Sequence, residues 1–216
     1  MILTKLIDMQ RVLDEHIMNE HPELKGQDNL DWKILALIAE IGECANEWRG
    51  FKKWSNNQKP CTWKRENCPD CFTKGYWRGN PPVDKEKGAH ALGNHWYHCE
   101  KCAGYLVVDR NPLLEEYVDC LHFILSIVIE LGHEKLEYWE WPHEFEITAG
   151  FIGLAGRSRD INMFWDLEGA VDIVHTENLL SQFVALGKKL SFTWEQIEEA
   201  YFAKNAVNHQ RQESGY

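Results

Sequence analysis

The sequence predicts an all-α protein that is interrupted by one small cysteine-rich insert. Apolar residues recur at helical spacing over most of the 216 residues, and this pattern stops between residues 56 and 108. That stretch also contains two Cys-x-x-Cys pairs. We therefore expect residues 1–55 and 109–216 to form the two parts of one helical domain and residues 56–108 to form an insert.

Composition and charge narrow the class of protein. A net charge of -11 disfavours a general nucleic-acid binder, which needs clustered Lys and Arg. The N-terminus lacks the apolar core of a signal peptide, and the apolar run at 121–131 is too short to span a bilayer. We therefore expect a cytoplasmic protein with no membrane partner, in which seven cysteines serve as metal ligands or buried thiols.

The first two helices are predicted from their apolar stripes. One runs over about residues 3–19 and ends before His21-Pro22, because a residue that precedes proline disfavours the α region. A second begins near Asp28 or Asp31 and is expected to continue to about Lys53. The loop composition SNNQKP then opens the insert.

Helical character returns at Asn111-Pro112, which suits an N-cap and first helical position, and lasts until Gly132. Residues 134–160 are ambiguous, and we expect one or two short helices there. Two further helices are predicted at about 167–190 and 193–209. Thr193 with Gln196 three residues later indicates a capping box at the start of the last helix.

Acidic residues cluster on two of these helices. Glu40, Glu43 and Glu47 lie at positions i, i+3 and i+7, so they share one helix face. Glu116 and Asp119 are again three residues apart. Like charges at this spacing repel, and a shared divalent cation with oxygen ligands would compensate them. The alternative is two solvated helix faces.

The pairs Glu40-x-x-Glu43 and Glu116-x-x-Asp119 resemble the ExxE…ExxD signature of the MazG-like nucleotide pyrophosphohydrolase superfamily. With the C-terminal segment AKNAVNHQRQESGY, the chain is more similar to the dimeric all-α dUTPases of some bacteria, phages and trypanosomatids. The resemblance implies a homodimer that hydrolyses dUTP, and dUDP, with two or more Mg²⁺ per site. Glu40, Glu43, Glu116 and Asp119 would hold the metal, and Glu40 or Glu43, with Glu43 favoured, would be the catalytic base.

The resemblance also implies a substrate site. Lys204, Asn208 and Arg211 lie at i, i+4 and i+7, so they share a face of the last helix that suits phosphates, although an exposed polar helix end has the same pattern. Gln10, His122 and Phe123 match the positions at which the family reads and stacks on the base. Further candidates for substrate contacts are Lys52, Lys53, Trp54, Asn205 and Tyr216.

The two Cys-x-x-Cys pairs predict a structural zinc site. Cys68 and Cys71 are separated from Cys99 and Cys102 by 27 residues, and four thiolates complete a tetrahedral Zn²⁺ site with no position left for water. The ligand alternatives are His90, His95 and His98. Tryptophans and basic residues in the insert are compatible with a nucleic-acid or regulatory-protein partner.

Two other functions remain open from sequence alone. One is a MazG-like pyrophosphatase that acts on dCTP or on several dNTPs with the same metals. The other is not an enzyme: a zinc-ribbon binding module carried on a helical dimer. The choice of uracil over cytosine depends on the family resemblance, because nothing in the residue pattern itself excludes cytosine.

Overall fold

A computed structural model describes residues 3–68, 71, 83–84, 89–92, 95–99, 101–102, 105, 107–141 and 144–215, with only the backbone described in 83–84, 89–92 and 95–98. Six α-helices dominate this part of the chain, so the predicted all-α class is confirmed. They are α1 Leu3–Glu20, α2 Leu30–Trp48, α3 Pro112–Glu130, α4 Ile147–Glu168, α5 Ile173–Lys189 and α6 Trp194–Glu213. None of the described helices is long and apolar enough to cross a membrane.

The chain divides into two compact units, Met1–Pro60 with Leu113–Tyr216, and Cys61–Pro112. The first unit holds the helices and a single large apolar core. The second unit holds the short strands and the paired cysteines.

Helix α2 places its apolar stripe in the core and its acidic residues outside it. Leu30, Ile34, Leu37 and Ile41 are buried at helical spacing. The helix ends at Trp48, earlier than the expected Lys53, because Arg49 takes a left-handed conformation with φ of 66° and its N–H bonds to the Ala45 carbonyl. This is a common way to end a helix.

Helix α3 is buried along most of its length, including Leu121, Leu125 and Ile127. Tyr117 near its start stacks on Phe183 of α5 with ring centroids 4.1 Å apart. The Tyr117 hydroxyl donates to the Phe183 carbonyl at 3.0 Å. These contacts join α3 to α5 without leaving the buried phenol unpaired.

The last three helices differ in part from expectation. The ambiguous residues 134–160, where one or two short helices are expected, contain the first part of one long helix, α4, which continues through Gly156 to Glu168. Helix α5 starts at Ile173 after Gly169, whose φ of 66° ends α4. The capping box of α6 has both predicted hydrogen bonds, between Thr193 and Gln196.

In the described part of the insert, five short strands form two antiparallel sheets. The first pairs β1 Lys64–Asn67 with β5 Val107–Arg110, and Lys64 lies opposite Arg110. The second has the order β2 Val83–Asp84, β3 Ala89–Leu92 and β4 His95–His98. Among the residues of this unit whose side chains the structure describes, the buried cluster consists of Cys68, Cys71 and Cys102, with Cys99 and Val108 packed against it.

Candidate active site

Three carboxylates from two helices meet at one place. Glu40 and Glu43 share a face of α2, and Glu116 extends from α3. One oxygen atom from each residue lies within 4.8 Å of the other two. Oxygens around one octahedral Mg²⁺ lie about 3 to 4 Å apart. The cluster is therefore close to the dimensions of a shared cation site.

The fourth predicted ligand, Asp119, is engaged by a cation of the protein. Lys204 of α6 donates to Oδ2 of Asp119. Among the described residues, no cation forms a salt bridge with the other three carboxylates. The ion pair thus links the acidic helices to the basic face of α6.

Burial raises the pKa of Glu40 to about 7, and the three neighbouring carboxylates add to this shift. Burial also raises the pKa values of Glu116 and Asp119. Lys204 opposes all three shifts without cancelling them. The site therefore holds more negative charge than its own cations balance, and an oxygen-only donor set of this kind fits a hard divalent cation.

A cavity of about 330 Å³ opens beside the acidic cluster, and both Glu40 and Asp119 lie in its wall. Residues of α1, α2, α3 and α6 line it. Six of the predicted substrate residues are among them: Gln10, His122, Phe123, Lys204, Asn208 and Arg211. The structure therefore gathers the amide, aromatic and basic candidates around one space next to the carboxylates.

The other substrate candidates lie elsewhere. Lys52, Lys53 and Trp54 occupy the turns after α2 and do not line this cavity, and the Trp54 side chain is 78% exposed. Asn205 is buried on α6 and lines a separate hollow with Met9 and Val12 of α1. Tyr216 is outside the described residues.

A buried polar network surrounds Gln10. Its Nε2 donates to Oδ1 of Asp14 at 2.7 Å, while its Oε1 accepts from the Tyr201 hydroxyl at 2.8 Å. Nδ1 of His122 lies 2.8 Å from the same Oε1, and its ring stacks on Tyr201 with centroids 4.1 Å apart. Ser126 donates to the other oxygen of Asp14 at 2.7 Å.

A buried lysine, which the sequence reasoning missed, lies next to this network. Lys33 is 2% exposed, donates to Glu130 at 2.6 Å and lies 3.8 Å from Oδ2 of Asp14. Lys33, Asp14 and Ser126 line the cavity, whereas Tyr201 supports it from behind His122. The sequence carries one signal for this network: Gln10 and Asp14 are four residues apart and so lie on the same face of α1.

The four predicted zinc ligands also meet. Their sulfur atoms lie within 4.8 Å of one another, with 3.8 Å between Cys68 and Cys99 and 3.6 Å between Cys71 and Cys102. A tetrahedron with Zn–S bonds of about 2.3 Å has sulfur–sulfur edges of about 3.8 Å. The donor set and its dimensions therefore fit zinc, although the side chains of the three alternative histidines lie outside the described residues.

The fold and the site define an all-α protein whose paired helices present carboxylates to a ligand-sized polar cavity. A family model described as dUTPase matches residues 2–72 and 106–216, and residues 73–105 within the insert lie outside the match. The chain therefore belongs to the all-α dimeric dUTPase family, whose members are dUTP diphosphatases, and the predicted resemblance is confirmed. The comparison with curated proteins gave no match.

Proposed function

We propose that this protein hydrolyses dUTP to dUMP and pyrophosphate, and dUDP to dUMP and phosphate, in a reaction that requires Mg²⁺. Membership of the family supports dUTP as the substrate. The observation that supports the site is the position of Glu40 and Asp119 in the wall of the same cavity as Gln10 and Arg211. Carboxylates, a base-reading amide and a phosphate-binding cation are therefore available to one ligand.

Glu40, Glu43, Glu116 and Asp119 are the proposed holders of two or more Mg²⁺ ions. Bound Mg²⁺ would neutralise charge on the phosphates and lower the pKa of an attacking water. Glu43 is the proposed general base because it is the most exposed member of the cluster and is open to water. Its carboxylate would take a proton from the water as the bond between the α and β phosphates breaks.

The protein's own cations are proposed to hold the phosphates. Lys204 and Arg211 line the cavity from α6, and Asn208 between them offers an amide. Arg211 suits a bidentate contact with phosphate oxygens. Lys52, Lys53, Trp54 and Asn205 do not line this cavity, and their contacts with substrate stay predictions.

The uracil base is proposed to lie against Gln10, His122 and Phe123. Phe123 is partly buried and supplies an aromatic face in the cavity wall. The Gln10 amide and the His122 ring supply polar atoms at the same wall. A flat base with polar edges fits a cavity that combines these groups.

We further propose a homodimer in the cytoplasm and a structural zinc ion in the insert. Exposed apolar side chains, among them Leu35 and Ile152, support a buried surface between subunits. Seven cysteines without a disulfide support a reducing compartment.

Two basic residues in the described part of the insert, Arg65 and Arg110, support a structural role for this part over nucleic-acid binding. Arg65 forms a two-pronged salt bridge with Asp109 at 2.7 and 2.9 Å, and Arg110 pairs with Glu66 at 2.8 Å. These charges are already partnered by acids of the neighbouring strand, so they offer little net attraction for phosphates.

Steady-state hydrolysis of dUTP and the four ordinary dNTPs, with Mg²⁺ and with a chelator, tests the proposal. We expect the highest kcat/KM for dUTP and no turnover with the chelator. Preference for dCTP, or equal hydrolysis of all dNTPs, would instead support a broader MazG-like pyrophosphatase. No hydrolysis of any nucleotide would support the zinc-ribbon binding module.

A further inference from the structure

The orientation of the Gln10 amide is fixed by Asp14. Oδ1 of Asp14 accepts from Nε2 of Gln10, and Oδ2 accepts from Ser126. Burial raises the pKa of Asp14. Lys33, 3.8 Å from Oδ2, together with the hydrogen bonds from Ser126 and Gln10, opposes this shift and favours the ionised carboxylate. If the amide were reversed, its oxygen would face the carboxylate across 2.7 Å with no proton between the two acceptors. The network thus permits one orientation of Gln10.

This orientation determines the tautomer of His122. An amide oxygen cannot donate, so the 2.8 Å contact between Gln10 Oε1 and His122 Nδ1 requires the proton on Nδ1. Burial lowers the pKa of His122 to about 3, and the ring is therefore neutral at physiological pH. Its Nε2 is then an acceptor without a proton.

That acceptor has no partner in the described part of the protein. His122 is 5% exposed and lines the cavity, and its Nε2 is buried without a hydrogen-bond partner. A buried acceptor left unpaired is costly, so a ligand that donates to it is favoured over one that does not.

We propose that Asp14 is a specificity-positioning residue: through Gln10 it holds His122 Nε2 as a hydrogen-bond acceptor that selects a pyrimidine with a hydrogen on ring nitrogen N3. Uracil carries a hydrogen on N3, whereas N3 of cytosine is an acceptor and would oppose Nε2. This inference rests on the proposed function, because it assumes that the nucleotide base occupies this cavity. It supplies a physical reason for choosing dUTP over dCTP that does not require any direct contact between Asp14 and the base.

The first test is the tautomer of His122 in the free protein. Long-range ¹H–¹⁵N correlation spectra distinguish a protonated from an unprotonated ring nitrogen, and H122Q assigns the signal. We expect the proton on Nδ1 in the wild type. In D14N the carboxamide can donate to Gln10, both amide orientations become available, and a population with the proton on Nε2 should emerge.

The second test is the ratio of kcat/KM for dUTP to that for dCTP. We expect D14N to lower this ratio at least about tenfold, through KM more than kcat, because the contact is made with the bound base and not only in the transition state. D8N is the matched control: it makes the same carboxylate-to-amide change on α1, where Asp8 pairs with Arg11 and does not line this cavity, so it should keep the ratio.

The outcomes separate this inference from the proposed function. If the wild-type protein prefers dUTP but carries the His122 proton on Nε2, the inference is wrong and the proposed function stands. The inference is also wrong if D14N keeps both the Nδ1–H tautomer of His122 and the wild-type ratio of kcat/KM for dUTP to that for dCTP. A proton on Nδ1 in wild-type protein that does not prefer dUTP would overturn the proposed function. The wild-type spectrum decides the tautomer even if D14N does not fold.

Discussion

At the residue scale, the main property of the site is excess negative charge held close to a polar cavity. Glu40 illustrates it best, because burial and neighbouring carboxylates raise its pKa to about 7. A carboxyl group in this state exchanges protons in the physiological range. Proton binding and cation binding therefore compete for the same oxygens.

We expect the affinity for Mg²⁺ to rise from pH 6 to pH 8 and then to level off. Below pH 7 the cation must displace a proton from Glu40, and above it the carboxylate is already ionised. Calorimetric titrations in buffers of different ionisation enthalpy would measure both the affinity and the protons released. E47Q is a suitable control, because Glu47 is on the same helix but outside the carboxylate cluster. An affinity for Mg²⁺ that does not change with pH would contradict the assignment of Glu40 as a metal ligand with a raised pKa.

The same pKa shift has a consequence for stability without metal. The pKa of Glu40 lies above its ordinary value of 4.5, so the folded state binds this proton more tightly than the unfolded state. The contribution of Glu40 to the free energy of unfolding should therefore fall as pH rises from about 4.5 to 7. Thermal unfolding of wild type and E40Q in chelator should show a smaller pH dependence in the variant.

Individual residues were predictable where local spacing determines their position. The acidic pairs and the cysteine pairs are of this kind, since helical spacing and a two-residue separation place side chains together. Asp14, Lys33 and Tyr201 were not predictable as site residues, because contacts between distant helices bring them to Gln10 and His122. For example, Tyr201 bonds to Gln10 across 191 residues of chain.

At the element scale, the helices follow the apolar periodicity, and the errors lie where glycine weakens it. The pattern over residues 134–160 predicts one or two short helices, whereas the structure has the long helix α4, which starts at Ile147 and continues through Gly156 to Glu168. A Cβ on Gly153 would lie 2.2 Å from Nε2 of Gln182 on α5, so this glycine makes room for the Gln182 side chain between the two helices. Close packing between helices is a tertiary requirement that local helix propensity does not record.

Gly187 on α5 offers a direct test of such packing. A Cβ at this position would lie 2.3 Å from the hydroxyl of Tyr117, which is buried in the core. We expect G187A to lower the free energy of unfolding by about 1–3 kcal/mol through overpacking. Urea denaturation would measure the change.

The matched control is G156A on α4. A Cβ there meets nothing within 4 Å, and the position is exposed within a helix. The substitution should raise the free energy of unfolding by about 0.5–1 kcal/mol, because alanine loses less conformational entropy than glycine in a helix. If G187A and G156A had the same free energy of unfolding, this would contradict the close contact described between Gly187 and Tyr117.

At the scale of the whole molecule, the helical unit and the insert depend on different sources of stability. The helical unit has a large apolar core, whereas the buried cluster found among the described side chains of the insert consists mainly of cysteines. The proposed zinc would therefore contribute most of the folding free energy of the insert and little of that of the helices. Sequence composition alone predicted this division, because apolar periodicity and Cys-x-x-Cys pairs occur in separate segments.

Replacing Cys99 by serine should reduce bound zinc from about one ion per chain to none, since a Cys₄ site needs all four thiolates. Hydrogen exchange should then increase over residues 60–105. The far-UV signal of the helices should persist. Zinc analysis, exchange mass spectrometry and circular dichroism together measure these effects, and C61S is the control because Cys61 lies outside the four-sulfur cluster. Complete loss of helical signal in C99S would show that the insert is part of the helical core.

The most direct test of the central claim compares dUTP hydrolysis by wild type, E43Q and E47Q at saturating Mg²⁺. Glu43 belongs to the carboxylate cluster and Glu47, one turn further along α2, does not. We predict that E43Q loses about 10²–10⁴-fold in kcat, as expected for removal of a general base, while E47Q stays close to wild type. Undiminished turnover by E43Q would contradict the proposal that the acidic helices carry the chemistry.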